Sequence, residues 1–299
     1  MGKVTFVFSG QGDQHPGMGK ALYEQYPAAR AVFDMCESIR PGTIRQCFEG
    51  TEEELKETAN TQPCLFAMEL AAARVLMDKG ITPDAVAGFS LGEVVAAAVS
   101  GMMTDAEAFR LVCRRGELMQ QAADQHDTAM AAVVKLTAEQ VEALCANYAQ
   151  VYPVNYNCPG NITVSGLREE LTAFSADVKA AGGRALPLKV KGAFHSPFMA
   201  SASEAFYQAL QQAELKTPAI ALYANKTAMP YEGDAAVLLS QQICSPVRWE
   251  QTIRNLMAAG VDTFVEIGPG KTLTNMIKKI TAEAKAVTCD EYLAEVEAC

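Results

Sequence analysis

The chain has 299 residues, 49% of them hydrophobic, and a formal net charge of −10. That length lies where a single core begins to split, so one large domain with a smaller companion is expected, and the apolar content excludes a disordered chain. The acidic balance argues against nucleic acid and against an anionic membrane surface, because both need a basic footprint.

Residues 3–10, KVTFVFSG, form an apolar, β-branched and aromatic run that ends in glycine and reads as a strand. Residues 62–80, QPCLFAMELAAARVLMDKG, read as a helix with Gly80 just past its end. ITPDAVAG at 81–88 gives a turn and a short buried strand, LGEVVAAAVSG at 91–101 a helix closed by Gly101, and residues 105–123 continue the helical pattern. Strands alternating with helices imply a parallel sheet covered by helices.

From about residue 127 the pattern changes. TAMAAVVKL is strand-like, and TAEQVEALCANYA is a helix opened by a capping box from Thr137 to Gln140. VYPVNYN and NITVSG are strands joined by CPG, LREELTAFSADVKAAGG is a helix, and RALPLKV is a last strand. This β-α-β-β-α-β order is the ferredoxin-like arrangement. Residues 127–191 are therefore expected to be a small α+β subdomain inserted in a larger α/β domain of residues 1–126 and 192–299. The larger unit resumes with a helix at 205–215, a strand at 219–225, a helix at 247–260 and a strand at 261–270. An acidic, peripheral amphipathic helix is expected at 290–299.

No apolar run is long enough to cross a bilayer, and the N-terminus enters a strand too early to be an export signal. The nine cysteines are scattered, with no C-x-x-C pair, and read as reduced core thiols of a cytoplasmic protein. Of the three histidines none is paired at ligand spacing, so no metal site is expected.

Residues 88–92 read G-F-S-L-G, a match to G-x-S-x-G with a strand before it and a helix after it. A sharp strand-to-helix turn would expose the Ser90 hydroxyl at a helix N-terminus, where the dipole and free N–H groups favour a developing negative charge. The plainer alternative is a helix N-cap serine. A serine nucleophile needs a base, and the choice is between His15, His126 and His195. His126 lies in a polar stretch and reads as surface, whereas His15 sits in the glycine-rich GQGDQHPGMG loop. His195, in VKGAFHSPFM, combines turn signals with apolar neighbours, which suits a partly buried, oriented imidazole; a structural histidine is the alternative.

Eight segments in order, FVFSGQGDQHPGMG, TQPCLFAMELA, GFSLGE, CRRGELMQ, NYNCPGNITVSG, KGAFHSPFM, QQICSPVRWEQTI and EIGPGKTLTNMIKKI, resemble the malonyl-CoA:acyl carrier protein transacylases of fatty-acid synthesis and the acyltransferase domains of polyketide synthases. The likeness spans about residues 4 to 280. It implies a hydrolase-like parallel-sheet domain with an inserted ferredoxin-like subdomain. It implies Ser90 as nucleophile, His195 as general base, and the backbone N–H groups of Gln11 and Leu91 as oxyanion donors. Gln242 matches the residue whose backbone carbonyl orients the histidine, which would leave its side chain dispensable. Arg115 matches the arginine that holds the malonyl carboxylate, a task suited to a guanidinium fork; read without the resemblance it is equally a solvated helix arginine, as Arg114 is. Gln62, Asn157 and Phe194 match further pocket positions. The implied substrates are malonyl-CoA and acyl carrier protein, with no cofactor, and a monomer is the family default.

One position departs from the pattern. The family most often has histidine before the nucleophile, and here Phe89 makes that wall apolar and bulkier. Because the implied carrier protein is acidic, docking on an acidic chain needs local basic residues, for which Arg184, Lys189, Lys191 and Lys271 are the candidates. Three alternative readings use the same serine and histidine: a serine thioesterase, and transferases that load a polyketide synthase or a malonate decarboxylase carrier protein.

Overall fold

Runs that are apolar throughout, and not merely alternating, form the larger of two sheets. A computed structural model describes residues 2–298; Met1 and Cys299, the last residue of the expected C-terminal helix, lie outside the described residues. The strands are β1 (Lys3–Phe8), β2 (Ala85–Gly88), β3 (Thr128–Val134), β4 (Val151–Cys158), β5 (Asn161–Leu167), β6 (Arg184–Pro187), β7 (Ala221–Tyr223), β8 (Val261–Ile267) and β9 (Lys285–Thr288). The large sheet has the order β7-β2-β1-β8-β9 with every pairing parallel. Phe6, Val7 and Phe8 of the central strand are fully buried, as a parallel strand covered on both faces requires.

Successive side chains divide the two faces between two cores. Phe6, Phe8 and Val86 pack under the helices Thr58–Asp78, Gly92–Val99 and Asp105–Ala123. Val7, Ala87 and Phe264 pack against Trp249, Ile253, Leu273 and Ile277 of the helices Trp249–Ala258 and Thr272–Ile280. The chain runs outward from β1 through β2 to β7, then returns to the other side of β1 for β8 and β9. The order thus reverses at β1, and the loops leaving β1 and β8 diverge, which opens a crevice at the carboxyl ends of the strands.

The second sheet is antiparallel with the order β4-β5-β3-β6, the ferredoxin-like order, and is backed by the helices Ala138–Cys145 and Arg168–Ala180. It carries its own core around Val133, Ile162, Val164, Phe174 and Val178. The Thr137–Gln140 capping box is present, with both reciprocal hydrogen bonds.

The structure departs from the sequence reading in several places, the unanticipated helices Ala235–Gln241 and Thr272–Ile280 among them. Four short helices occupy residues 20–56, where no element was expected. The helix expected at 205–215 spans Ala200–Leu210, because Ala202, Phe206 and Leu210 make the buried stripe that sets its register. The strand expected through residue 190 ends at Pro187, although the Leu188 N–H still donates to Met130 O at 2.9 Å. Strand β9 was not anticipated, and the helix Cys289–Glu297 that follows it is anchored as well as peripheral: Cys289 and Leu293 are buried, and Glu297 reaches Lys79 at 2.8 Å and Tyr26 at 2.9 Å.

Candidate active site

Ser90 stands at the end of β2 with φ of 56°, a left-handed conformation that costs a side-chain-bearing residue free energy and persists only when its surroundings hold it. The two flanking glycines are required by close approach. A Cβ on Gly88 would lie 1.9 Å from the Gly92 carbonyl carbon, and one on Gly92 would lie 2.3 Å from the Phe8 oxygen. Without side chains there, the helix Gly92–Val99 packs directly on the end of β1. The turn aims the Ser90 hydroxyl toward His195 and away from the helix, so the N-cap alternative does not hold: no side-chain cap bond forms at that helix start.

His195 is the partner. Its Nε2 lies 2.7 Å from Ser90 Oγ, and its Nδ1 lies 2.9 Å from the backbone oxygen of Gln242. A carbonyl can only accept, so Nδ1 carries the proton and Nε2 is left as the acceptor facing the serine. The imidazole is buried, the residue's backbone has φ of 61°, and its backbone N–H donates to Ile243 O at 3.2 Å. From the small sheet, Ser165 Oγ donates to Phe194 O at 3.4 Å. Burial first, and the Arg115 cation second, press the His195 pKa down to about 4. The ring is therefore neutral at physiological pH and able to take a proton.

Arg115 is fully buried behind the serine. Its Nη1 donates to Gln62 Oε1 at 2.7 Å, and its Nη2 donates to Gln242 Oε1 at 2.8 Å and to Ser90 Oγ at 3.3 Å. Its Nε–H has no acceptor. Burial lowers its pKa to about 10, so it remains a cation. Arg114, by contrast, is exposed and paired with Glu117 at 3.2 Å.

The expectation that the Gln242 side chain is dispensable is corrected. Besides Arg115, that amide donates from Nε2 to Ser90 O at 2.6 Å and to Glu93 Oε2 at 3.1 Å. A cation on its oxygen and a carboxylate on its nitrogen fix which way the amide faces, and the same residue's backbone holds His195. The carboxylate of Glu93 also accepts from the Asn225 N–H at 2.9 Å and from the Tyr231 hydroxyl, and burial raises its pKa to about 7.

Two cavities adjoin beside the serine, which lines the inner one. An inner one of about 80 Å³ is lined by Gln62, Ser90, Leu91, Met119, Met130, Phe194 and His195. An outer one of about 250 Å³ is lined by Ser9 to Asp13, Asn155, Asn157, Asn161, Thr163 and Thr272. Gln11, Phe89, Asn155 and Leu188 line both, so the Phe89 ring stands at the partition. That ring lies edge-on to Trp249 with centroids 5.6 Å apart. The backbone N–H groups of Gln11 and Leu91 have no acceptor among the described residues, whereas that of Ser90 donates to Asn225 Oδ1 at 2.8 Å. Arg115 lines neither cavity and lies behind Gln62 and Ser90, which do.

Ser90, His195, Gln11, Leu91, Gln242, Arg115, Gln62, Asn157 and Phe194 therefore fall in or directly behind this site. His15 and His126 do not: both are exposed, His15 bonding Pro16 O at 3.0 Å and His126 lying edge-on to Phe198. Sequence reasoning missed Glu93, Asn225 and Tyr231. Glu93 had a signal, being the only charge in the apolar segment GEVVAAAV; a buried lone acid needs partners. Among the described residues no three His, Cys, Asp or Glu side chains converge as a metal site would require.

Residues 5–295 match the acyl transferase domain family model. The chain is 38% identical to the malonyl CoA-acyl carrier protein transacylase of Bacillus subtilis strain 168, covering 97% of this chain and 94% of that protein. It is 35% identical to a polyketide biosynthesis malonyl CoA-acyl carrier protein transacylase of Bacillus velezensis, covering 95% and 98%. Among solved structures, the Clostridium perfringens malonyl CoA-acyl carrier protein transacylase superposes with a TM-score of 0.95 at 30% identity, over 99% of this chain and 98% of that one. A malonyl-transacylase solved with its type II polyketide synthase acyl-carrier protein gives 0.94 at 32% identity, over 99% and 100%.

Two measurements test this geometry. Gln242→Ala leaves Arg115, Ser90 O and Glu93 each one partner short, and urea unfolding is expected to show a loss of about 1–3 kcal/mol, typical of a buried polar group left unsatisfied; unchanged stability would mean that only the backbone carbonyl matters. If neutral His195 takes the Ser90 proton, phosphonylation of Ser90 by a serine-directed phosphonate is expected to be level above about pH 5 and to fall about tenfold per pH unit below pH 4.

Proposed function

The chain belongs to the acyl transferase domain family as a malonyl CoA-acyl carrier protein transacylase, an enzyme that moves a malonyl group from coenzyme A to acyl carrier protein, and from that premise we propose the role of each site residue. The observation that carries the proposal is the relay from Gln242 O through the His195 ring to Ser90 Oγ, at 2.9 and 2.7 Å.

In the first half-reaction Ser90 Oγ attacks the malonyl thioester carbonyl while its proton passes to His195 Nε2. The resulting imidazolium keeps its Nδ1–H on the Gln242 carbonyl, whose dipole favours the charged ring. The tetrahedral oxyanion accepts hydrogen bonds from the Gln11 and Leu91 N–H groups, which flank the serine and have no acceptor among the described residues. The carbon–sulfur bond breaks, coenzyme A leaves with the proton from His195, and Ser90 carries a malonyl ester. In the second half-reaction the carrier protein's phosphopantetheine thiol gives its proton to His195 and attacks that ester. Ser90 leaves and recovers the proton. Beyond its two substrates the scheme uses no cofactor.

Arg115 selects the acyl group. A malonyl carboxylate in the inner cavity would take the free Nε–H together with a donor now given to Gln62 or Ser90. Acetyl has nothing to offer a buried cation. Gln62 is the hinge of this exchange, and Phe194 and Met130 close the apolar side of the pocket. Asn155, Asn157 and Phe89 face the outer cavity, which supports their contacting the arm of either thioester.

The carrier protein docks over the mouth of the outer cavity. Lys189 adjoins Leu188 and Lys271 adjoins Thr272, both lining residues, so two exposed cations flank the opening. Leu186 and Leu188 stay 41% and 38% exposed beside them, apolar area for a partner to cover. Lys191 is held by Asp124 at 2.6 Å and contributes less.

Brief exposure to malonyl-CoA is expected to add one malonyl group by intact mass, absent in Ser90→Ala, scarce with acetyl-CoA, and removed by acyl carrier protein. Released malonate without acceptor would instead mean a hydrolase. For docking, Lys189→Glu with Lys271→Glu is expected to slow malonyl transfer to carrier protein about tenfold at low salt, in the range that electrostatic steering supplies, and to leave transfer to free pantetheine unchanged. Equal loss with both acceptors would place these lysines elsewhere in the reaction.

A further inference from the structure

We propose that Asn225 is a positioning residue for the nucleophile, and that its side-chain amide is what holds Ser90 in its left-handed backbone conformation. Asn225 lies two residues past the end of β7 and is 1% exposed. Its Oδ1 accepts the Ser90 N–H at 2.8 Å, and its Nδ2 donates to Gly88 O at 2.5 Å. One amide thus closes a ring across the elbow, bonding to the backbone on both sides of Phe89. No other contact of the elbow does this. Ser90 O accepts from Gln242 Nε2 at 2.6 Å and from the Glu93 N–H at 3.1 Å, and Gln242 Nε2 also lies 3.3 Å from Asn225 Oδ1.

The amide is itself locked. The Asn225 N–H donates to Glu93 Oε2 at 2.9 Å, and the Arg248 N–H donates to Asn225 O at 3.0 Å. Both backbone groups and both ends of the side chain are engaged, so the residue has one orientation. Its position has a chemical consequence. By taking the Ser90 N–H, Asn225 directs that donor away from the reacting carbonyl, so the neighbouring Leu91 and Gln11 donors alone face it. Losing the amide would free the Ser90 N–H and let φ relax from 56°, which moves Oγ relative to His195 Nε2. Such a shift degrades the rate of acylation more than substrate binding, because it acts on a reacting atom.

The inference rests on Ser90 being the nucleophile. Two variants test it, read as the rate of malonyl adduct formation, with wild type and Ser90→Ala run in parallel. Asn225→Ala is expected to lower kcat for acylation about 100-fold with little change in KM for malonyl-CoA, as a displaced reacting atom should. Asn225→Asp carries a stricter test. When protonated, aspartic acid copies the amide, its O–H donating to Gly88 O and its carbonyl accepting from the Ser90 N–H. When ionised, it loses that donor and sets a charge against the Gly88 carbonyl. The Glu93 carboxylate accepts the residue's backbone N–H at 2.9 Å, Gln242 Nε2 lies 3.3 Å from Oδ1 and also bonds Glu93, the Tyr231 hydroxyl sits on that carboxylate, and the Arg115 cation lies beyond the Gln242 amide. Burial and Glu93 favour the neutral acid. The ratio of Asn225→Asp to wild type is therefore expected to approach one at low pH and to fall as pH rises. A ratio flat with pH, or Asn225→Ala acylating at the wild-type rate, overturns the proposal. If Asn225→Ala does not fold, the pH ratio decides alone. Wild type that forms no adduct at Ser90 overturns the reading of the site itself, a separate outcome.

Discussion

A single positive charge without access to water organises this molecule's centre. Burying the Arg115 guanidinium costs several kcal/mol unless its terminal nitrogens find partners and a counter-charge lies near. Gln62 and Gln242 supply the partners, and Glu93, one amide away, supplies the charge. The Gln242 amide stands between cation and anion and has one sensible orientation, oxygen to Arg115 and nitrogen to Glu93. Its backbone then carries the same constraint to His195. Arg115 and His195, for which we propose carboxylate recognition and proton transfer, are thereby fixed by one residue. This explains why so much buried polarity, otherwise a burden on stability, is gathered within a few ångströms of one serine.

The sheet order places these parts together. Loops leaving β1, β2, β7 and β8 bring Gln11, Ser90, Asn225 and the Gly268–Gly270 turn to one edge, while the smaller sheet contributes Asn155, Asn157 and Thr163 to the outer cavity. The order reverses at β1, so no side chain has to cross from one face of the sheet to the other to reach the site.

Much of this was legible in the chain because local constraints leave local marks. The two glycines around Ser90 record a strand-to-helix turn too tight for side chains, and the turn residues around His195 record a second. The βαββαβ order of the small sheet was readable from periodicity. What was not legible depends on residues far apart. Asn225 sits in the unremarkable YANKT and meets an elbow 135 positions away, and Tyr231 meets Glu93 across 138. Nothing in a window of sequence encodes such pairings. The Gln242 side chain was misjudged for a related reason: a backbone contact implied by resemblance says nothing of where the amide goes. The register error at residues 200–210 came from trusting helical composition over the buried stripe Ala202, Phe206 and Leu210.

The substitution of phenylalanine before the nucleophile has a further side. Trp249 is the one tryptophan in the chain, fully buried, with the Phe89 ring against its edge and its own indole N–H without a partner. Phe89 in turn forms part of the wall of both cavities. Ultraviolet emission from this protein above the tyrosine band therefore originates at one point, a single ring away from where the acyl group and its carrier arm would lie. The chain carries a built-in optical reporter in contact with a wall of its own pocket, free of background from any other indole.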